Sequence, residues 1–130
     1  MSGPFIYVGS YAIKDGKEQD AREAFRQVAD LVETNEPRMI AFNYWFDALG
    51  RTVTAIQVHP DPASMDFHLG VVAQHLDNAW DWIESTVSEQ VYGEPSAMVT
   101  NVMAQYAAPG TTVSLFPEHG GGFIRGASVR

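Results

Sequence analysis

The chain has 130 residues, of which 45% are hydrophobic, and this suits one globular domain with a sizeable core. Its formal net charge of −8 repels phosphate backbones and anionic lipid, so neither nucleic acid nor a membrane surface is expected as a partner. The absence of cysteine excludes disulfides, thiolate metal sites and a cysteine nucleophile. The N-terminal residues lack the basic region and apolar run of a signal peptide, which predicts a cytoplasmic protein.

The first half of the chain predicts a strand, a helix and a hairpin. Residues 5–13 are rich in aromatic and β-branched residues and are apolar on both faces, which is typical of a strand covered on both sides. Residues 17–35 have apolar positions at three- and four-residue spacing, and Pro37 ends this helix. Residues 38–46 and 52–58 then form two strands joined by a short loop.

The next segment predicts helices. Asp61 is suited to cap a helix whose first residue is Pro62. A further helix is predicted after Asp77, and its apolar side would carry Ala79, Trp80, Ile83 and Val87.

The C-terminal part allows two interpretations. In the first, Ser96 caps a short helix that ends at residue 106, and residues 111–116 form the last strand. In the second, residues 96–106 are the last strand and residues 111–130 are a tail. The glycine-rich residues 118–130 are expected to be a flexible tail or an edge strand.

This order of elements predicts an α+β, ferredoxin-like split βαβ fold, with a four-stranded antiparallel sheet and helices on one face. The helices can cover only one face, yet the first strand has Ile6, Val8 and Ala12 on the second face. An apolar sheet face left in water is an aggregation surface, and pairing with an identical sheet removes it. We therefore expect a homodimer.

Three stretches resemble the antibiotic biosynthesis monooxygenase family of the dimeric α+β barrel superfamily. They are the opening strand Phe-Ile-Tyr-Val-Gly-Ser-Tyr (residues 5–11), the crossing Asn-Glu-Pro-Arg-Met-Ile-Ala-Phe (35–42), and the run Val-His-Pro-Asp-Pro-Ala-Ser-Met-Asp-Phe-His-Leu (58–69). Arg38 stands where the family usually has glycine, and His59-Pro60 replaces a common Glu-x-Tyr pattern.

The resemblance implies one domain of this family over residues 1–130, forming a dimeric α+β barrel. It also implies a small monooxygenase that works without a metal or other cofactor on an aromatic, quinol or polyketide-like substrate. An electron-rich phenolate can itself reduce oxygen, so the protein needs only an apolar cavity, a base and hydrogen-bond donors. In the family the helix after the third strand carries a histidine, which makes His68 the candidate catalytic base here.

The other histidines give weaker signals. His68 and His75 are seven residues apart on one predicted helix, roughly 10 Å along its axis, which is too far for one metal ion. Each could be an ordinary surface or partly buried imidazole. Alternatively, His68 projects into a cavity between helix and sheet and binds a polar ligand or moves a proton, and His59 lines the mouth of that cavity. His75 is a further candidate substrate-binding residue.

Two further groups are candidate substrate-binding residues. Asn43 and Trp45 alternate with Phe42 and Tyr44, so they lie on the opposite sheet face, where they either pack in a dimer interface or position a flat ligand. Trp80 and Trp82 are two apart on a predicted helix, so one fills the core and the other is exposed or lines a cleft; we take Trp80 as the binding candidate.

Two alternative functions remain open at this stage. One is a non-catalytic dimeric barrel that binds a small hydrophobic ligand. The other is a haem-binding relative, which is less favoured because the first strand lacks the asparagine that such relatives often carry near its start.

Overall fold

The computed structural model describes residues 3–125 and contains one five-stranded sheet with the strand order β2-β3-β1-β4-β5. All neighbouring strands are antiparallel except β4 and β5, which are parallel. The strands are β1 (Phe5–Ile13), β2 (Ala41–Phe46), β3 (Thr52–His59), β4 (Ile83–Tyr92) and β5 (Thr112–Phe116). The helices are α1 (Glu18–Asn35), α2 (Pro62–Val71), α3 (Ala73–Asn78) and α4 (Ala97–Tyr106), with a single 3₁₀ turn at Ala79–Asp81.

Strand β1 lies in the interior of the sheet, between β3 and β4, as its two apolar faces predict. Phe5 and Tyr7 are buried beneath the helices, whereas Ile6 and Val8 point to the other face and are only half-buried. We call this second face, which carries Ile6, Val8 and Ile56, the open face.

The β2–β3 hairpin is where the sequence places it. The Asp47 carboxylate accepts hydrogen bonds from the backbone N–H groups of Arg51 and Thr52, and Gly50 takes the positive φ of +70° that the turn requires. Strand β2 begins at Ala41, three residues later than predicted, because the chain is still turning after Pro37.

The predicted helix caps are confirmed. The Asp61 side chain accepts from the Ser64 N–H at 3.0 Å at the start of α2, and the Ser96 hydroxyl accepts from the Val99 N–H at 3.2 Å at the start of α4. Residues 97–106 are therefore helical, and the alternative in which they form the last strand is wrong.

The predicted helix that carries Ile83 and Val87 is also wrong, because these residues lie in β4. Ser88 pairs with Ser10 and Thr86 pairs with Tyr11, so Val87 is an extra residue that bulges from the strand. A second register shift leaves Glu84 as an extra residue between Ser85, which pairs with Ala12, and Ile83, which pairs with Ile13. The two irregularities interrupt the two-residue alternation that would have identified a strand. As a result the sheet has five strands rather than four, with β4 beside β1 and β5 added at the edge.

Strands β4 and β5 extend the open face beyond β1. Tyr92 of β4 stacks on Phe116 of β5, with ring centroids 4.9 Å apart.

No helix within residues 3–125 is long and apolar enough to span a bilayer. Residues 118–125 form neither helix nor strand, and the rest of the predicted tail, residues 126–130, lies outside the described part of the chain.

Candidate functional site

A cavity of about 830 Å³ lies between the helices and the sheet, which is within the size range of small-molecule sites. Part of its wall is apolar. Side chains from α1, α2, β2 and the segment before β4 supply that part: Phe25, Phe42, Met65, Leu69, Val72 and Trp82. Charged and amide side chains of α1, α3 and the adjoining turns line the cavity as well: Lys14, Lys17, Asp20, Glu23, Gln27, Gln74, Asn78 and Asp81. Two buried polar groups, one around His68 and one around Glu89, also belong to the lining.

The His68 side chain is held by a carboxylate from another element. His68 on α2 is buried, and its Nδ1 lies 2.8 Å from Oε2 of Glu36, the residue that follows the last turn of α1. With Glu36 ionised, Nδ1 carries the hydrogen of this bond, and Nε2 is the basic nitrogen. Nε2 has no hydrogen-bond partner among residues 3–125, so it is available to a substrate proton.

A second imidazole lies behind the first. The His59 and His68 ring centroids are 5.8 Å apart. His59 is fully buried, its Nδ1 lies 2.8 Å from the Ser64 hydroxyl, and its Nε2 lies 3.1 Å from Oε1 of Gln57. Burial lowers the pKa of His59 to about 4, and the neighbouring His68 adds to this effect, so His59 is neutral at pH 7.

The other polar group lies on the sheet. The Tyr7 hydroxyl donates to Oε2 of Glu89 at 2.8 Å and lies 3.0 Å from the Tyr11 hydroxyl, and all three residues line the cavity. Burial raises the pKa of the Glu89 carboxyl, although the bond from Tyr7 works in the opposite direction. Burial also raises the pKa values of Tyr7 and Tyr11, so both phenols stay protonated.

The candidate histidines and Trp80 occupy different positions. His68 and half-buried His75 on α3 both line the cavity. His59 is fully buried and lies outside the lining, so the expectation that it lies near the mouth is wrong. Trp80 is 41% exposed and stacks on Tyr106 outside the cavity lining, whereas Trp82 is buried in the core. The expectation that one of these two tryptophans fills the core is confirmed, although they lie at a 3₁₀ turn rather than on a longer helix.

Asn43 and Trp45 lie on the open face, as their alternation predicts. Asn43 pairs with Ile56, and Trp45 pairs with Thr54 on the same face as Ser10. Both are exposed, and Trp45 keeps 56% of its surface in contact with solvent. The sheet separates them from the cavity, so within one chain they do not meet His68.

Sequence reasoning missed Glu36 as the partner of His68, and it gave Tyr7 and Tyr11 no role beyond their place in the first strand. It also missed Glu89, because this residue lies in the segment predicted to be helical. Reading residues 83–92 as a strand with two register shifts, at Glu84 and Val87, would have placed Glu89 on the buried face and marked it as a candidate. No comparable local signal connects Glu36 with His68, which are 32 residues apart.

Within residues 3–125, no group of three or more His, Asp or Glu side chains is arranged to hold a metal ion. No protein-family model and no curated protein sequence matches the chain.

Solved structures, in contrast, match with high probability. MupZ from Pseudomonas fluorescens superposes with a TM-score of 0.69 at 14% identity, over 96% of this chain and 91% of that one. A "putative antibiotic biosynthesis monooxygenase" from Nitrosomonas europaea gives a TM-score of 0.62 at 15% identity, over 72% and 92% of the two chains. A protein of the same description from Chloroflexus aurantiacus gives a TM-score of 0.57 at 12% identity, over 73% of this chain and 96% of that one.

The chain therefore has the ferredoxin-like α+β fold of proteins described as antibiotic biosynthesis monooxygenases, which confirms the fold that the sequence resemblance implied. The match to MupZ extends over nearly the whole chain, whereas the other two stop near three quarters of it. At these identities the likeness concerns the fold, so function has to be argued from the cavity itself.

Proposed function

We propose that the protein is a small monooxygenase that acts without a bound cofactor on a phenolic, quinol or polyketide-like substrate, with His68 as its catalytic base. One observation carries the proposal: a buried imidazole, oriented by Glu36, lines a cavity of about 830 Å³ whose wall combines apolar and polar side chains. The fold of the neighbours described as antibiotic biosynthesis monooxygenases supports the same reaction class.

The proposed chemistry begins with a proton transfer. His68 Nε2 takes the proton of a phenol, and the Glu36 carboxylate stabilises the imidazolium that forms. The phenolate gives one electron to O₂, and the resulting radical and superoxide combine to form a carbon–oxygen bond. Protonation yields a hydroperoxide. Loss of a ring C–H proton with cleavage of the O–O bond then gives a quinone and water, so one phenol and one O₂ balance one quinone and one water.

The remaining candidate residues have subsidiary places in this proposal. His75 contacts a substrate as it enters the mouth, and His59 holds the back of the His68 ring without exchanging protons at pH 7. Trp80 forms the outer edge of the same entrance through its stack on Tyr106. Asn43 and Trp45 have no role in this mechanism, because they lie beyond the sheet.

We also propose that the protein forms a homodimer through the open face. This face carries half-buried aliphatic side chains at its centre and exposed aromatic ones at its edges, among them Trp45 and Phe116. No helix of the described chain covers it. A second copy of the same sheet supplies an apolar surface that can cover it. In a dimer with two-fold symmetry both subunits use the same surface, so no second kind of interface is needed.

Oxygen consumption with a panel of quinols and naphthols tests the proposed reaction. His68→Ala is expected to lower the rate by roughly 10²- to 10⁴-fold, the range typical of a general base. His119→Ala is the matched control, since His119 is exposed and lies outside the cavity lining. Equal rates for wild type and His68→Ala would remove His68 from the mechanism, and a retained ligand without any turnover would instead indicate a binding protein.

A further inference from the structure

Gln57 on β3 lies beside His68 and has no task in the reaction proposed above. It is buried and lines the cavity. Two neighbours of Gln57 on the sheet lie against the His68 ring: Phe42 pairs with Gln57 across β2 and β3, and His59 is two residues further along β3. The ring centroids of Phe42 and His59 are 6.3 Å and 5.8 Å from that of His68. The Gln57 side chain, between these two neighbours, therefore lies next to the imidazole.

A series of buried hydrogen bonds that begins at Ser64 fixes the orientation of the Gln57 amide. Ser64 Oγ lies 2.8 Å from His59 Nδ1, and His59 Nε2 lies 3.1 Å from Gln57 Oε1. The buried Ser64 hydroxyl has no other partner among residues 3–125, and a buried hydroxyl hydrogen without an acceptor is costly, so Ser64 donates to Nδ1. His59 then carries its hydrogen on Nε2 and donates it to the Gln57 carbonyl oxygen. A protonated His59 would donate to the same oxygen, so this direction does not depend on its charge.

The N–H groups of Gln57 are consequently directed away from His59. The amide nitrogen has no hydrogen-bond partner in the described part of the chain, yet it is not sealed from solvent. The fully buried side-chain atoms without a partner are three oxygens elsewhere: Glu36 Oε1, Thr86 Oγ1 and Glu89 Oε1. Because Gln57 lines the cavity, its free N–H groups are open to a ligand there, next to the basic Nε2 of His68.

We infer that Gln57 Nε2 donates a hydrogen bond to the same substrate oxygen from which His68 takes the proton. The inference rests on the function proposed above and makes Gln57 a further substrate-binding residue. When the proton moves to His68 Nε2, the phenol oxygen becomes negatively charged. A donor whose orientation is already fixed stabilises this oxygen more than it stabilises the neutral phenol, because hydrogen bonds to charged groups are the stronger ones.

The pKa of a bound phenol tests the inference without any oxidation. The probe is 4-nitrophenol, which is too electron-poor to react with oxygen and whose phenolate absorbs visible light. A pH titration of its absorbance, with the protein in excess, reports the pKa of the bound probe, and for the wild type this pKa is expected to be lower than that of the free probe. Gln57→Met keeps the length of the side chain but removes the donor, so it is expected to raise the pKa of the bound probe by about one pKa unit or more.

A second variant separates the donor from the support that Gln57 gives to His59. Gln57→Glu keeps an oxygen that accepts from His59 Nε2 and replaces the amide nitrogen by a carboxyl oxygen, so the pKa of the bound probe is expected to rise here as well. Gln90→Met is the matched control and is expected to equal the wild type, since Gln90 pairs with Val8 on the open face and lies outside the cavity lining. Circular dichroism of each variant checks that it is folded.

A wild type that does not lower the pKa of the probe, or an unchanged pKa in a folded Gln57→Met, would overturn the inference. If Gln57→Met does not fold, an unchanged pKa in Gln57→Glu has the same meaning. Oxygen consumption with quinols is measured separately, so the two proposals fail in different ways. A wild type that lowers the pKa of the probe through Gln57 and consumes no oxygen supports the donor and contradicts the monooxygenase.

Discussion

At the scale of single residues, the site depends on buried polar groups that hold one another through hydrogen bonds. Glu36 is 4% exposed and is joined to His68, while its second oxygen, Oε1, has no partner in the described chain. The carboxylate is placed there because α1 ends at Asn35, which brings the next side chain beside α2. In the mechanism proposed above, this carboxyl group orients the His68 ring and stabilises the imidazolium that forms.

Glu36→Gln tests that use. The amide can still accept a hydrogen bond from Nδ1 but carries no charge, so oxygen consumption is expected to fall by about tenfold or more while the fold is retained. Glu33→Gln, an exposed change on the same helix, serves as the control. Unchanged turnover in Glu36→Gln would show that the imidazole needs no charged partner.

His59 gives a pH dependence of stability with a definite sign. Because its folded pKa of about 4 is below the ordinary value of 6.5, the unfolded chain binds more protons between these two values. The His59 contribution to the free energy of unfolding is therefore complete above pH 6.5 and is lost as the pH falls toward 4. Glu89 works in the opposite direction, since its raised pKa makes its contribution fall as the pH rises.

Denaturant unfolding at several pH values between 4 and 7 isolates the His59 contribution. His59→Gln removes the titrating group, so its stability curve is expected to be flatter than that of the wild type across this range. A difference between the two proteins that stays constant with pH would contradict a depressed His59 pKa.

At the scale of elements, local signals located most of the helices and strands. The Asp61 and Ser96 caps, the β2–β3 turn and the end of α1 are each decided by residues within a few positions. Strand β4 was not predicted, because its two register shifts and the buried polar residue Glu89 disrupt the apolar alternation. Its burial comes from β1 and the helices above it, which are distant in sequence.

The cap of α2 offers a test at this scale. Asp61→Ala removes the acceptor for the Ser64 N–H and is expected to cost about 1 kcal/mol in the free energy of unfolding. Asp61→Asn keeps an oxygen for the cap but loses the ion pair with Arg38, an exposed pair that contributes little. Chemical denaturation is expected to find Asp61→Asn close to wild type, and equal losses in both variants would assign the effect to Arg38 instead.

At the scale of the whole molecule, the two faces of the sheet have different roles. The helix-covered face contains the cavity, whereas the open face carries Val8 and Ile56 as directly paired, half-buried neighbours. The proposed homodimer would bury this face and leave both cavities on the outer sides of the paired sheets. It also gives the exposed Trp45 an apolar environment.

Val8→Lys places a charge at the centre of the proposed interface and is expected to convert a dimer to a monomer at micromolar concentration. Leu49→Lys is the control, since Leu49 is 75% exposed in the β2–β3 turn. Sedimentation velocity distinguishes the two states, and a wild type that sediments as a monomer would contradict the dimer.

The sequence by itself determined the α+β class, the hairpin, the helix caps and the position of His68, because each depends on local periodicity or on contacts between near neighbours. Only the tertiary structure decided that residues 83–92 are a strand beside β1, that Glu36 holds His68, and that Tyr7, Tyr11 and Glu89 share one cavity. These facts depend on contacts between residues that are distant along the chain. Such contacts form only when several elements pack together, and no local pattern specifies them.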